Sequence, residues 1–291
     1  MKQVMVFAYI LFLFTCCQQH STSDLTNHVF ADSPVAAPVK AGAVDEASGI
    51  ADSRVNAGYI WVEQDSGNPP ELALLAYDGT LSKKMYLKGV ENRDWEDMAL
   101  AKGPDPTAYY IYLAEIGDNF LQNLTYYIYR FKEPTASTDT IKTFDKVAFK
   151  YPDGSNNAEA MFVDNDSKDI FIITKSDLRT NIYKLPYPQN TGGITEAILV
   201  GSLPLKVVVG AGISPDGREI IIKTYTTLNY WKRAAMETIE DVLKKPSTAL
   251  TYQLEIQGEA VGFKNDNTGF FTLSEKPAMA GTVSLNFYKR N

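Results

Sequence analysis

Beyond about residue 34 the chain alternates short apolar runs with clusters of turn-forming residues, a rhythm that predicts strands rather than helices. The clearest runs are Tyr59–Glu63, Tyr110–Glu115, Ile170–Lys175, Glu219–Thr224 and Phe270–Glu275. Ile, Tyr, Phe and Val dominate them, as suits a pleated surface. Each follows a turn rich in Asp, Asn, Pro or Gly, for example Lys102-Gly-Pro-Asp-Pro106 and Ser214-Pro-Asp-Gly217. Those residues supply the dihedrals and local hydrogen bonds of tight turns. Further strands are expected at 72–77, 81–87, 126–131, 146–151, 182–185, 198–203, 228–232, 250–256 and 282–288. One segment, 234–245, breaks the pattern. Its Ala235, Ile239, Val242 and Leu243 share a face at helical spacing, and Pro246 would stop the helix.

Ahead of the five runs stand five short segments that align without gaps: Glu46-Ala-Ser-Gly-Ile50, Asp94-Trp-Glu-Asp-Met98, Asn157-Ala-Glu-Ala-Met161, Val209-Gly-Ala-Gly-Ile213 and Gln257-Gly-Glu-Ala-Val261. Their central residues, Ser48, Glu96, Glu159, Ala211 and Glu259, fall 48, 63, 52 and 48 positions apart. Such a period fits a blade of four strands, hence an all-β, five-bladed β-propeller. A sixth blade would have to lie inside the 63-residue interval. The fifth repeat stops at its third strand. Val35–Val39 would complete it as an outer edge strand, where Pro34 and Pro38 are tolerated, so that both ends of the chain share a blade.

The N-terminus has a different character. Val4 to Phe14 is an uncharged apolar run, too short to span a bilayer as a helix but suited to an export signal. It ends at Cys16-Cys17, which resembles a loose bacterial lipobox. Residues 1–16 are therefore expected to be a signal peptide with lipidation at Cys16 or Cys17. Residues 17–33 would be a polar tether and 34–291 a single propeller domain. The expected setting is a bacterial lipoprotein on the periplasmic or cell-surface side of a membrane.

Composition then removes several chemistries. The 291 residues carry 28 Lys and Arg against 35 Asp and Glu, a net charge of −7, which opposes nucleic-acid binding. Both Cys and both His (His20 and His28) precede residue 29. The propeller thus lacks a disulfide framework, a zinc site of the usual ligands, a catalytic thiol and a Ser-His-Asp triad. No partner protein is indicated, and a monomer is expected.

Inner strands of a propeller line its axis, so the five central residues should face one another. Three carboxylates about 5 Å apart, at an effective dielectric of about 20, repel by roughly 3 kcal/mol per pair. Protons or a cation would relieve this. A roomy ring of hard oxygen ligands suits Ca²⁺ better than Mg²⁺. The expected ligands are Ser48, Glu96, Glu159, Ala211 and Glu259, with Ala211 offering its carbonyl.

The order Ser, Glu, Glu, small residue, Glu resembles the central calcium site of the calcium-dependent apyrases, five-bladed propellers that hydrolyse nucleoside diphosphates. That resemblance implies a central Ca²⁺ and an apyrase-like activity on phosphorylated small molecules. The turn Asp65-Ser-Gly67 lacks the Arg of that family, and Ala211 stands where it has Ser. The chain also resembles a set of uncharacterised secreted bacterial propellers. They share Glu46-Ala-Ser-Gly-Ile50, Asp65-Ser-Gly-Asn-Pro69, Asn92-Arg-Asp-Trp-Glu-Asp97, Ile116-Gly-Asp-Asn119 and Gln257-Gly-Glu-Ala260. This implies the fold and export, with no activity attached.

Around the channel mouth, Asp65, Asp97, Asn119, Lys175, Lys223, Tyr225 and Lys276 are candidate ligand-binding residues. Asp65, Glu115, Asp118, Lys175 and Glu275 are the candidate acids and bases. Three readings follow. One is a tethered, non-catalytic binder of a small ligand; the second is a metal-dependent hydrolase of a phosphorylated substrate. The third is a glycosidase built on paired acids.

Overall fold

The computed structural model describes residues 29–276 and 283–291. The expected signal peptide, Cys16, Cys17 and most of the expected tether lie outside the described residues. The structure is a five-bladed β-propeller with one short helix.

Strand β1 (Val35–Pro38) opens the described fold. The first blade is β2 (Ala47–Asp52), β3 (Tyr59–Gln64), β4 (Glu71–Ala76) and β5 (Leu81–Leu87). The second uses β6 (Trp95–Lys102), β7 (Tyr109–Glu115) and β8 (Tyr126–Lys132); then, after the two-residue β9 (Thr140–Ile141), it is completed by β10 (Asp145–Lys150). The third contains β11 (Ala158–Val163), β12 (Ile170–Thr174) and β13 (Thr180–Leu185), followed by β14 (Ile194–Glu196) and β15 (Ile198–Leu203). The fourth has β16 (Val208–Ile213), β17 (Glu219–Thr224), β18 (Leu228–Lys232), helix α1 (Ile239–Leu243) and β19 (Thr248–Leu250). The fifth is β20 (Gly258–Phe263), β21 (Gly269–Ser274) and β22 (Ser284–Lys289), with β1 as its outer strand. β1 pairs antiparallel with β22, Val35 opposite Phe287 and Pro38 opposite Ser284, so the ring closes as the prolines and the missing strand anticipated.

The second strands of the blades look apolar because both their faces are covered. Along β3, Ile60 and Val62 enter the core between the fifth and first blades, while Trp61 enters the core between the first and second. Along β12, Ile170 and Ile172 go one way and Phe171 and Ile173 the other. Alternation of side chains thus feeds two cores from one strand. Among the described residues there are five such clusters, one for each blade interface. Each fully buried Leu, Ile or Phe in them contributes about 1.5–3 kcal/mol.

Several sequence expectations need correction. The 63-residue interval holds no sixth blade. It holds β9, which leaves the second blade to pair parallel with β5 of the first. β14 of the third blade likewise pairs parallel with β10 of the second. The fourth blade's outer strand ends at Leu250, and residues 251–257 form no strand. The helix begins only at Ile239, leaving Ala235 exposed. Nor does the fold begin at residue 34. Phe30 bridges to Arg290 and packs against Phe263, Phe270 and Tyr230.

Thr238 caps the helix, its side chain accepting a hydrogen bond from the Asp241 backbone N–H. Thr238→Ala is expected to cost about 1 kcal/mol, read as a lower urea midpoint with an unchanged slope. A change below a few tenths would mean that packing of Ile239 and Val242 holds the helix unaided.

Candidate functional site

The five inner strands β2, β6, β11, β16 and β20 form a closed ring around the axis. Each carries a bulge near its start, which leaves one residue out of the ladder. The residues left out are Ser48, Glu96, Glu159, Val209 and Glu259. A bulge re-aims a side chain, and here it delivers glutamates from three blades to one place. The fourth blade departs from the expected alignment. Its counterpart of the glutamates is Val209, and Ala211 lies two residues further along the strand. The Ala211 N–H donates to Asp97 Oδ2 at 3.3 Å. Just past the bulge stand Gly49, Ala160, Gly210 and Ala260, small because neighbouring inner strands approach closely, and in β6 the acid Asp97. A Cβ on Gly210 would overlap the Glu259 carbonyl.

Glu96, Glu159 and Glu259 are buried and each offers an oxygen within 4.8 Å of the others. Their surroundings are unequal. Lys175 Nζ donates to Glu159 Oε1 at 2.5 Å and to the Tyr225 hydroxyl at 3.0 Å. Tyr225 in turn donates to Glu259 Oε1 at 2.8 Å, and Ser48 Oγ donates to Glu259 Oε2 at 2.8 Å. Lys175 lies on a loop after a second strand, so inspection of the five inner segments alone could not reveal this counter-ion. Glu159 Oε2 has no hydrogen-bond partner. No described residue makes a hydrogen bond or ion pair to the Glu96 carboxylate.

Beneath the glutamates lie two more acids. Asp97 ties three inner-strand positions together by accepting N–H groups from Met98 and Met161, each at 2.7 Å, and from Ala211. Glu63, missed by sequence reasoning, is fully buried with both carboxylate oxygens unpartnered. Its place at the end of an apolar strand, Tyr59 to Val62, was the available signal. Burial pushes Glu63 well above the ordinary glutamate range, and the charges of Asp97, Asp65 and Glu259 push it further. Burial, then Glu159, does the same to Glu96. Glu159 is pushed up to about 7 by burial, against the pull of Lys175.

A second acidic group adjoins the first: Asp65, Asp94 and Glu96 also place oxygens within 4.8 Å of one another. Gly117, from the Ile116-Gly-Asp-Asn119 motif, lets the loop backbone pass close by. A Cβ there would overlap Glu96 Oε1 and Asp94 Oδ2.

The remaining candidates divide. Glu275 faces this cluster, pushed up to about 8 by burial and then by Glu259 and Asp65. Lys276 is exposed at the rim, 3.6 Å from Asp45. Asn119, also exposed, accepts from Asn157 Nδ2. Glu115 is drawn aside by Arg93 at 3.3 Å and by the Tyr129 hydroxyl. Asp118 caps its own loop, accepting from Gln122 N, Asn123 N and the Tyr126 hydroxyl. Lys223 does not reach the mouth at all. It is fully buried, 2.9 Å from Glu255 and over the Tyr252 ring. The opposite end of the channel is different in kind, a cavity of about 50 Å³ lined by groups such as Ile50, Met98, Phe162 and Val261.

Taken together, the mouth is a buried carboxylate ring with one ammonium and one phenol, chemistry suited to a hard cation. No model of a known protein family and no curated protein matches this chain.

Proposed function

We propose that this chain is an exported, lipid-anchored propeller whose axial carboxylates hold a Ca²⁺ ion, and that the ion binds a small oxygen-rich ligand at the mouth without turning it over. The observation that carries this reading is the convergence of Glu96, Glu159 and Glu259 from three blades, with Glu159 Oε2 and the Glu96 carboxylate lacking donors among the described residues. Burial makes three such charges costly unless they are neutralised, and oxygen donors on separate blades suit the irregular shell of Ca²⁺. Lys175, Tyr225 and Lys276 border the same opening and would face the ligand's acidic or hydroxyl groups.

One observation favours a hydrolase instead. Glu275, at about 8, could hold a proton near neutral pH and give it to a leaving group. A glycosidase is less well supported, because Glu115 is engaged by Arg93 and Tyr129 whereas Glu275 faces Glu259.

Titration of metal-free protein with Ca²⁺ in a calorimeter is expected to give saturable binding that weakens at least tenfold in Glu259→Gln. Mg²⁺ should bind more weakly. Absence of Ca²⁺ binding sinks the reading. Calcium-dependent phosphate release from nucleotides, lost in Glu159→Gln, would replace it with the hydrolase.

A further inference from the structure

Two acidic triads, not one, meet at the mouth, and Glu96 belongs to both. In the inner triad Lys175 neutralises part of the charge and Tyr225, Ser48 and Asn157 donate hydrogen bonds. The outer triad has less relief: Ser66 hydrogen-bonds to Asp65 and Asp94, and the charges of Lys175 and Arg93 act on these two acids without forming an ion pair. Arg93, next to Asp94 in sequence, directs its guanidinium to Glu115 and the Thr125 carbonyl. Asp65 accepts from the Ser66 N–H, but among the described residues no Lys or Arg forms an ion pair with Asp65, Asp94 or Glu96. Glu96 is 3% exposed and receives no hydrogen bond from any described residue.

Two further observations point to a ligand at this place. Glu63, outside both triads, buries two unpartnered carboxylate oxygens and has Asp65 and Glu259, one from each triad, among the charges that face it. Glu96 Oε1 and Asp94 Oδ2 both lie against Gly117, so the loop is kept bare where a side chain would fill the space beside them.

We propose that the mouth is a two-cation site in which Glu96 is the bridging carboxylate, with an outer Ca²⁺-class ion held by Asp65, Asp94 and Glu96 beside the inner ion of Glu96, Glu159 and Glu259. The inference rests on the axial-ion reading above and adds a second ion to it. Asp65 and Asp94 are only half-buried, so the outer ion keeps open coordination positions toward solvent. Paired divalent cations bind phosphate or carboxylate oxygens jointly, and the ligand class that follows is a small anion able to span both ions.

The test is a count of ions on the full folded chain, stripped with chelator and dialysed against Ca²⁺, with bound calcium measured by elemental analysis. Two Ca²⁺ per chain are expected. Asp94→Asn should leave one, Glu259→Gln should leave one, and Glu96→Gln should weaken both at least tenfold. If Asp94→Asn fails to fold by circular dichroism, Asp65→Asn replaces it in the same assay. A parent chain that holds only one Ca²⁺, with the same count in Asp94→Asn or Asp65→Asn, overturns the outer site and leaves the axial ion standing. No bound Ca²⁺ overturns both.

Discussion

Glu255→Ala is expected to lower stability by about 3–5 kcal/mol and the melting midpoint by roughly 10 °C. Glu255 lies on the strandless segment after Leu250 and turns inward to Lys223, which is itself fully buried. Its other oxygen accepts from Thr272 Oγ1 at 2.5 Å and Asn286 Nδ2 at 2.6 Å. Removing the carboxylate strands an ammonium between the fourth and fifth blades with only the Tyr252 ring beside it. A buried charge without its partner costs far more than the intact pair contributes. The comparison that isolates this effect is Glu255→Leu combined with Lys223→Met. The double variant should recover most of the loss, because it leaves no charge behind. Chemical denaturation of the singles and the double decides it; single variants within 1 kcal/mol of the parent would mean that the segment rearranges to let water reach Lys223.

A second large effect concerns pH. In metal-free buffer, stability is expected to fall as pH rises from about 4.5 to about 8, and Ca²⁺ should restore it most at the upper end. The carboxyls of the mouth keep their protons to higher pH when folded than the ordinary value of 4.5 for glutamate: Glu159 to about 7, Glu275 to about 8, with Glu63 and Glu96 raised in the same direction. The folded chain therefore binds more protons than the unfolded chain across this window. Stability is complete below about 4.5 and declines as each group ionises. For buried Glu159 alone the rise to about 7 converts to on the order of 3 kcal/mol. Glu275 is more open to solvent and counts for less. Calcium at 100 times its dissociation constant adds about 2.7 kcal/mol, but at low pH protons compete for the same oxygens. Thermal midpoints at about pH 5 and about pH 8, each with chelator and with Ca²⁺, test this. A flat or rising metal-free profile would count against it, as would a Ca²⁺ effect no larger at the higher pH.

The blades were legible because the second strand of each feeds two cores and so reads as an apolar run between polar turns. The glutamates were legible because a Glu two residues ahead of a hydrophobic residue recurs at the bulges of β6, β11 and β20. In the fourth blade the bulge residue is Val209, within the run Val207-Val-Val209. Nothing polar marks the place, and the following Gly-Ala-Gly imitates the Ala-Ser-Gly of the first blade, which shifts the alignment to Ala211. Lys175 was legible as a residue of the mouth, but not as the counter-ion of Glu159, because it reaches that carboxylate from the end of another strand. Lys223 seemed to alternate with the rim residues, yet its partner Glu255 comes from a stretch, 250–256, whose apolar residues imitate a strand. β9 and β14 are two and three residues long and pair across blades, below the length at which periodicity carries information.

The pairing of β1 with β22 also has a consequence for how the molecule is made. The first described strand has no partner until β22 has been synthesised, so four blades can assemble before the fifth is complete. Ring completion is therefore a late, long-range event, slow in proportion to the chain that separates its halves, and until it happens the edges of β1 and β21 stand open to pairing with the wrong neighbour.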